Sequence, residues 1–164
     1  MSTDLHLPDS NDRLERYQSL ILQLPALMDD AVGRIANAAN FAAAIKDFFG
    51  FHWVGFYFIQ DVNGTPELVL GPFQGPVACT RIALGRGVCG TAWQRCETVV
   101  VPDVELFPGH IACSSLSRSE IVLPVFSEGR IIGVLDIDSA VEDDFTSLDV
   151  TSLQELVKIA ERYL

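Results

Sequence analysis

Residues 120–126 (EIVLPVF) and residues 130–138 (RIIGVLDID) flank the short segment Ser127-Glu128-Gly129. Both flanking segments are rich in β-branched and large apolar residues, and the polar segment between them has the composition of a tight turn. The pattern therefore predicts an antiparallel β-hairpin. Successive side chains of a strand point to opposite faces, so Asp136 and Asp138 are expected on the same face of its second strand.

A second hairpin is predicted upstream of the first. Residues 53–59 (WVGFYFI) are aromatic and β-branched, Asn63-Gly64 supplies a turn, and residues 67–70 read as the returning strand. Residues 98–101 stop at Pro102, as expected of a short edge strand. Residues 87–93 can open a short helix between these strands.

The two ends of the chain have helical spacing. Residues 11–49 predict two helices: apolar residues recur every three or four positions up to Pro25, which ends or bends the first helix. The second run extends from Leu27 to Phe49 and closes at Gly50. Residues 145–163 form a final helix. This order predicts an α+β fold, with N- and C-terminal helices packed on one face of an antiparallel sheet.

Composition restricts the function. The chain has 164 residues and a net charge of −11, and it is predicted to form one domain, residues 11–164, after a flexible N-terminus, residues 1–10. An acidic chain argues against a nucleic-acid partner and suits a ligand that carries an ammonium group. No apolar run is long enough for a membrane span and no signal peptide is recognisable, so a cytoplasmic location with reduced thiols is expected.

The four cysteines, at positions 79, 89, 96 and 113, contain no C-x-x-C pair, so no zinc or other metal site is expected. Cys113 lies among turn-forming residues near His110 and Arg118, which could supply positive charge to a reactive thiolate. The alternative is a half-buried loop cysteine without a chemical role.

The other cysteines have different settings. Cys89 lies at a possible helix start, where the dipole would favour a thiolate, although a small apolar residue packed under a turn is the preferred interpretation. Cys79 lies in a loop before a strand, which suits a resolving thiol that closes a disulfide. Cys96 is interpreted as structural or incidental.

Three acids are expected together at one end of the first hairpin. Counting outward from Glu128 places Glu120 opposite Asp136, with Asp138 on the same face. Carboxyl groups packed together raise one another's pKa, which prepares one of them to donate a proton. The alternative is a solvated strand end that leads into the acidic loop at 142–144.

Five motifs of the chain resemble the free methionine-(R)-sulfoxide reductases, a GAF-domain enzyme family. They lie at residues 71–79 (GPFQGPVAC), 85–91 (GRGVCGT), 109–113 (GHIAC), 119–122 (SEIV) and 133–138 (GVLDID). The similarity spans roughly residues 11 to 163. It implies a GAF domain with a six-stranded antiparallel sheet, usually in a homodimer. It also implies reduction of free methionine sulfoxide without a bound cofactor, with a thioredoxin-like dithiol as the external reductant.

The resemblance also implies roles for single residues. Cys113 matches the cysteine that attacks the sulfoxide, Cys79 the resolving cysteine, and Cys89 a third cysteine that is an auxiliary resolver or a pocket residue. Glu120, Asp136 and Asp138 match the family's acids, which bind the substrate and assist proton transfer. Trp53 and Tyr57 match the aromatics that surround the substrate's methyl group. The chain departs from the family's usual pattern at Ser114, where Asp is common, and at Arg118, where a small polar residue is typical.

A function from another class is a GAF module that senses a small molecule without turning it over. Sensor domains of this kind normally accompany an output domain, for which 164 residues leave no room. A sensor also has no need for three cysteines in loops. Turnover of the sulfoxide, as opposed to binding alone, discriminates between the two functions.

Overall fold

The computed structural model describes residues 4–111 and 114–164. Within them, the helices are α1 (Arg13–Leu27), α2 (Gly33–Phe49), α3 (Gly87–Arg95) and α4 (Ser147–Ala160). The strands are β1 (Trp53–Val62), β2 (Thr65–Gln74), β3 (Arg81–Ile82), β4 (Val99–Val101), β5 (Ser119–Ser127) and β6 (Arg130–Ser139). The strands form one antiparallel sheet in the order β3-β2-β1-β6-β5-β4. The predicted α+β class and both hairpins are confirmed.

The long helices α1, α2 and α4 cover one face of the sheet, as predicted. Alternate strand residues such as Phe56, Ile121 and Leu135 point to this face and join the apolar side chains of the helices in the main core. All three are fully buried, and burial of such side chains contributes about 1.5–3 kcal/mol each. The terminal segments of the chain therefore provide the stability of the domain on the side away from the predicted site.

The opposite face of the sheet carries a second, smaller apolar cluster. Trp53 and Tyr57 of β1 and Val122 of β5 belong to it, and α3 packs over them through Cys89 and Trp93. Because only a nine-residue helix and loops cover this face, it leaves space for a pocket. None of the described helices has the length and apolarity needed to cross a bilayer.

The register of the β5–β6 hairpin differs from the expected one. Ser127 pairs with Arg130, so the turn has two residues, Glu128 and Gly129, both with positive φ, and not the three that the count assumed. A β-bulge between Val125 and Phe126 shifts the pairing by one further residue. Two bounds also differ in the helices: Pro25 lies inside α1, which ends at Leu27, and α2 begins only at Gly33.

As a result, Glu120 pairs with Asp138, and Asp136 lies opposite Val122. The prediction that Glu120 faces Asp136 is therefore wrong by two residues. Since a shift of two residues preserves the face to which a side chain points, all three acids still lie on the face opposite the long helices.

Candidate active site

The three acids come together at one end of the hairpin, as predicted. Glu120 and Asp138 are direct cross-strand partners, and Asp136 lies two residues before Asp138 on the same face. Glu120 and Asp136 are only 5% and 8% exposed. The alternative of a solvated strand end is therefore excluded for these two residues.

Burial changes the acidity of the cluster. It is the main reason why the pKa values of Glu120 and Asp136 lie well above their ordinary values, and the charge of Asp138 raises both further. Burial also raises the pKa of Asp138 to about 6, although a hydrogen bond from Ser117 and the charge of His110 act in the opposite direction. Each of the three carboxyl groups therefore holds its proton to a higher pH than an exposed carboxyl does, because its pKa lies above the ordinary value, and this is a property that suits a proton donor.

Trp53 and Tyr57 form an aromatic wall beside the acids. Trp53 lies opposite Asp138 on the neighbouring strand β1, and the Trp53 and Tyr57 ring centroids are 6.0 Å apart. Gly55 between them is required by space, because a Cβ atom there would lie 2.5 Å from Cη2 of Trp53. The two rings are buried, at 4% and 1% exposure, and present an apolar surface to the pocket.

The polar atoms of the same two aromatics hold the loop that carries Cys79. Trp53 Nε1–H donates a hydrogen bond to the carbonyl oxygen of Pro76 at 3.0 Å. Tyr57 O–H donates to the carbonyl oxygen of Cys79 at 2.9 Å. Cys79 is half-buried and disulfide-bonded, whereas Cys89 and Cys96 are free. The aromatic wall and the proposed resolving cysteine are thus parts of one hydrogen-bonded unit.

Cys89 lies in the first turn of α3 and is 3% exposed. Its pKa is raised well above the ordinary value by burial, and the charges of Asp136 and Glu120 raise it further. Of the two alternatives for Cys89, a thiolate favoured by the helix dipole is the less supported, because the dipole contributes only about 0.3–1 kcal/mol and burial beside carboxylates opposes it. The interpretation as a small packed residue agrees better with the structure.

Cys113 lies outside the described residues, but the residues on either side of residues 112 and 113 are described. On one side, His110 Nε2 is 3.4 Å from Glu120 Oε2, so the imidazole contacts the acid cluster. On the other side, Ser114 Oγ is 2.9 Å from Nε2 of His52. Both described flanks of this segment are therefore attached to the pocket walls.

Arg118 does not supply positive charge to the pocket, contrary to the expectation from sequence. Its guanidinium pairs with Glu142 and lies 3.4 Å from Oε1 of Glu105, and Arg118 is absent from the pocket lining of the described residues. The arginine therefore links three surface loops.

The pocket contains residues that sequence reasoning did not single out. Arg86 and Ser117 are such residues: they line its wall together with Ser114, the acids, the aromatics and Cys89, and Ser117 is only 7% exposed. Cys96 lies outside this lining, with an exposed position at the end of α3. Ser117 carried a weak signal, because it falls between the two motifs at 109–113 and 119–122.

Comparison with known proteins identifies the family. The chain matches the GAF domain model over residues 34–164. It is 45% identical over 154 residues to the free methionine-R-sulfoxide reductase of Escherichia coli, an alignment that covers 93% of this chain and 91% of that protein. This chain belongs to the free methionine-R-sulfoxide reductase family. The resemblance seen in its motifs is therefore confirmed.

Two further proteins are similar over nearly the whole chain. The X-ray structure of the free methionine-R-sulfoxide reductase from Neisseria meningitidis in complex with its substrate is 51% identical, with a TM-score of 0.93, and the match covers 99% of this chain and 95% of that one. The GAF domain-containing protein A of Dictyostelium discoideum is 52% identical over 161 residues, which is 98% of this chain and 99% of that protein.

Proposed function

We propose that this protein reduces free L-methionine (R)-sulfoxide to methionine. The observation that carries the proposal is the buried cluster of Glu120, Asp136 and Asp138 beside the wall of Trp53 and Tyr57, in a chain of the free methionine-R-sulfoxide reductase family. A small zwitterionic sulfoxide presents both a cation for the acids and an apolar methyl group for the rings.

The acid cluster accounts for selectivity towards the free amino acid. The α-ammonium group of free methionine sulfoxide can pair with the buried carboxyls. A methionine within a peptide has a neutral amide nitrogen at that position and would leave the acids unpaired. The free substrate is therefore favoured over oxidised proteins.

The reaction begins at Cys113. Its thiolate attacks the sulfoxide sulfur, an acid protonates the oxygen, and methionine leaves as the oxygen is transferred to the cysteine as a sulfenic acid. The cysteine sulfur is oxidised by two electrons and the substrate sulfur is reduced by two. Glu120 is favoured over Asp138 as the donor, because the pKa of Glu120 is raised well above its ordinary value while that of Asp138 is raised to about 6.

Cys79 then regenerates the nucleophile. Its thiol attacks the sulfenic acid, water leaves, and a disulfide forms that a thioredoxin-like dithiol reduces. The half-buried, disulfide-bonded Cys79 suits this role better than Cys89, whose free thiol is buried. The thioredoxin-like reductant, a homodimeric assembly and a cytoplasmic location belong to the same proposal and are supported by family membership alone.

The test is an assay of methionine formation from the separate R and S sulfoxides of free methionine, with a dithiol reductant. Turnover of the R isomer alone is expected. Tight binding of either isomer without turnover would instead favour the sensor function and overturn the proposal. A peptide that contains methionine (R)-sulfoxide serves as the matched control and is expected to remain oxidised.

A further inference from the structure

Three possible metal ligands from three different elements converge in the pocket. Cys89 belongs to α3, Glu120 to β5 and Asp136 to β6. The Cys89 sulfur and one carboxylate oxygen of each acid all lie within 4.8 Å of one another. Each side chain stands on a helix or on a hydrogen-bonded strand, so the ligands are brought together by the fold before any ion binds.

One of these ligands has an atom without a partner. Asp136 is 8% exposed, and its Oδ1 is buried with no hydrogen-bond partner in the described part of the chain. A buried carboxylate oxygen left unpaired is costly, and such atoms commonly indicate a missing ion or ligand. None of the ion pairs among the described residues includes Asp136, so a cation is the complementary partner.

We propose that the reduced protein binds one Zn²⁺ ion at Cys89, Glu120 and Asp136. Thiolate sulfur favours zinc over Mg²⁺ and Ca²⁺, which prefer oxygen ligands alone. His110 lies next to this group, with its Nε2 3.4 Å from Glu120 Oε2, and the fourth position of a tetrahedral zinc ion is left for a water molecule. Ligands at zinc distances lie roughly 3.5 Å apart, and the three ligand atoms lie within 4.8 Å of one another, so the side chains need to close by about 1.3 Å at most.

This site differs from the structural zinc sites that the cysteine spacing argued against. Those sites depend on close cysteine pairs, whereas this one combines a single cysteine with two acids that come from distant parts of the sequence. The ion neutralises the pocket when no substrate is present.

The proposed ion excludes the substrate. If the proposed function is correct, Glu120 and Asp136 also receive the α-ammonium group of the amino acid, so the ion and the amino acid compete for the same oxygens. Zn²⁺ is then a competitive inhibitor of the reductase. Depletion of zinc by a chelator restores full activity.

The experiment is a calorimetric titration of reduced protein with Zn²⁺ in a Cys113→Ser background, which removes the proposed nucleophile as a ligand. We expect one ion per chain and no binding of Mg²⁺. Adding Cys89→Ser or Asp136→Asn is expected to weaken zinc binding by at least about tenfold. The matched control is Cys96→Ser, because Cys96 is an exposed free thiol outside the pocket lining.

Circular dichroism establishes that each variant is folded. If Cys89→Ser leaves the zinc affinity unchanged, the proposed site is wrong. It is also wrong if Cys96→Ser weakens zinc binding as much as Cys89→Ser does. The competition is tested separately by repeating the titration in the presence of methionine, which should raise the apparent Kd for zinc. Zinc binding that methionine leaves unchanged overturns the competition, and failure of methionine to bind at all counts against the proposed function without affecting the zinc titration.

Discussion

Glu120 and Asp138 are directly paired across β5 and β6, on the face of the sheet that lies away from the long helices. The pairing brings two carboxyl groups into a buried environment, where the charge of Asp138 raises the pKa of Glu120 beyond the effect of burial itself. A cross-strand neighbour therefore favours the protonated form of Glu120, which is the form that a proton donor needs.

Glu120→Gln is expected to lower kcat for free methionine (R)-sulfoxide by about 10²-fold or more, because the amide cannot donate a proton as the carboxylic acid does. Steady-state methionine formation with a dithiol reductant measures the effect. Glu105→Gln is the control, since the Glu105 side chain is 71% exposed and pairs with Arg118. Wild-type turnover in the Glu120→Gln variant would show that Glu120 is not the proton donor and only packs in the pocket.

Asp138→Asn is expected to flatten the pH dependence of stability. The pKa of Asp138 is raised from the ordinary 3.8 to about 6 in the folded protein, so its contribution is fully present below pH 3.8 and is lost as the pH rises to about 6. The stability of the variant relative to wild type should therefore be higher at pH 7 than at pH 4, by up to about 3 kcal/mol. Denaturant unfolding at pH 4 and pH 7 measures this difference, and equal differences at both pH values contradict it.

Variants of the different cysteines should fail at different steps of the reaction. Cys113→Ser is expected to abolish turnover, while Cys79→Ser should form one methionine per enzyme and then stop without added reductant, because the sulfenic acid has no resolving thiol. Single-turnover measurement of methionine distinguishes the two variants. Cys96→Ser is the control and should keep full activity. Steady-state activity in Cys113→Ser would show that Cys113 is not the nucleophile.

The contact between His52 and Ser114 is expected to position the segment that follows Cys113. Their side chains are 2.9 Å apart, so His52→Ala and Ser114→Ala should each lower kcat/KM, and the double variant should be little worse than either one. A coupling of about 0.5–1.5 kcal/mol is expected from a double-mutant cycle. Ser115→Ala, at an exposed neighbouring position, is the control, and strictly additive losses would show that the two residues act separately.

Asp149 is expected to control stability without affecting catalysis. It is fully buried, its Oδ1 accepts hydrogen bonds from Tyr17 at 2.9 Å and from Arg13 at 3.0 Å, and its Oδ2 accepts one from the Thr146 amide at 2.8 Å. Asp149→Ala should reduce the free energy of unfolding by about 3 kcal/mol, as measured by denaturant titration. Asp47→Ala, on the exposed side of α2, should change it little.

Local patterns predicted the elements of this fold, because strand and turn composition act over a few residues. The turn at Glu128 and Gly129 was located correctly, and so were the helices around Tyr17 and Leu153. The exact register of β5 against β6 could not be predicted from local patterns. It depends on the bulge between Val125 and Phe126, and that bulge depends on how β6 packs between β1 and β5. The residue types at these two positions do not require a bulge.

The site shows the same division between local and distant effects. The three acids were predicted to meet because they share one hairpin face, and this is confirmed. For Cys89 the sequence left a thiolate and a packed residue as alternatives, since the carboxyls that oppose its ionisation are at least 31 positions away in the sequence and reach it only through the packing of α3 on the sheet. The position of Arg118 likewise depends on its ion pairs with Glu105 and Glu142. Both partners are distant in the sequence, so the residues next to Arg118 do not indicate them.

The hydrogen bonds from Trp53 and Tyr57 to the loop before β3 both end on main-chain carbonyl oxygens, those of Pro76 and Cys79. Every residue type provides this acceptor, so the side chains at positions 77 and 78 can diverge among relatives without loosening the attachment. A tilt of either ring upon ligand entry, in contrast, would pull directly on the backbone at the redox-active position. The two aromatics thus connect the pocket mechanically to the backbone that carries Cys79.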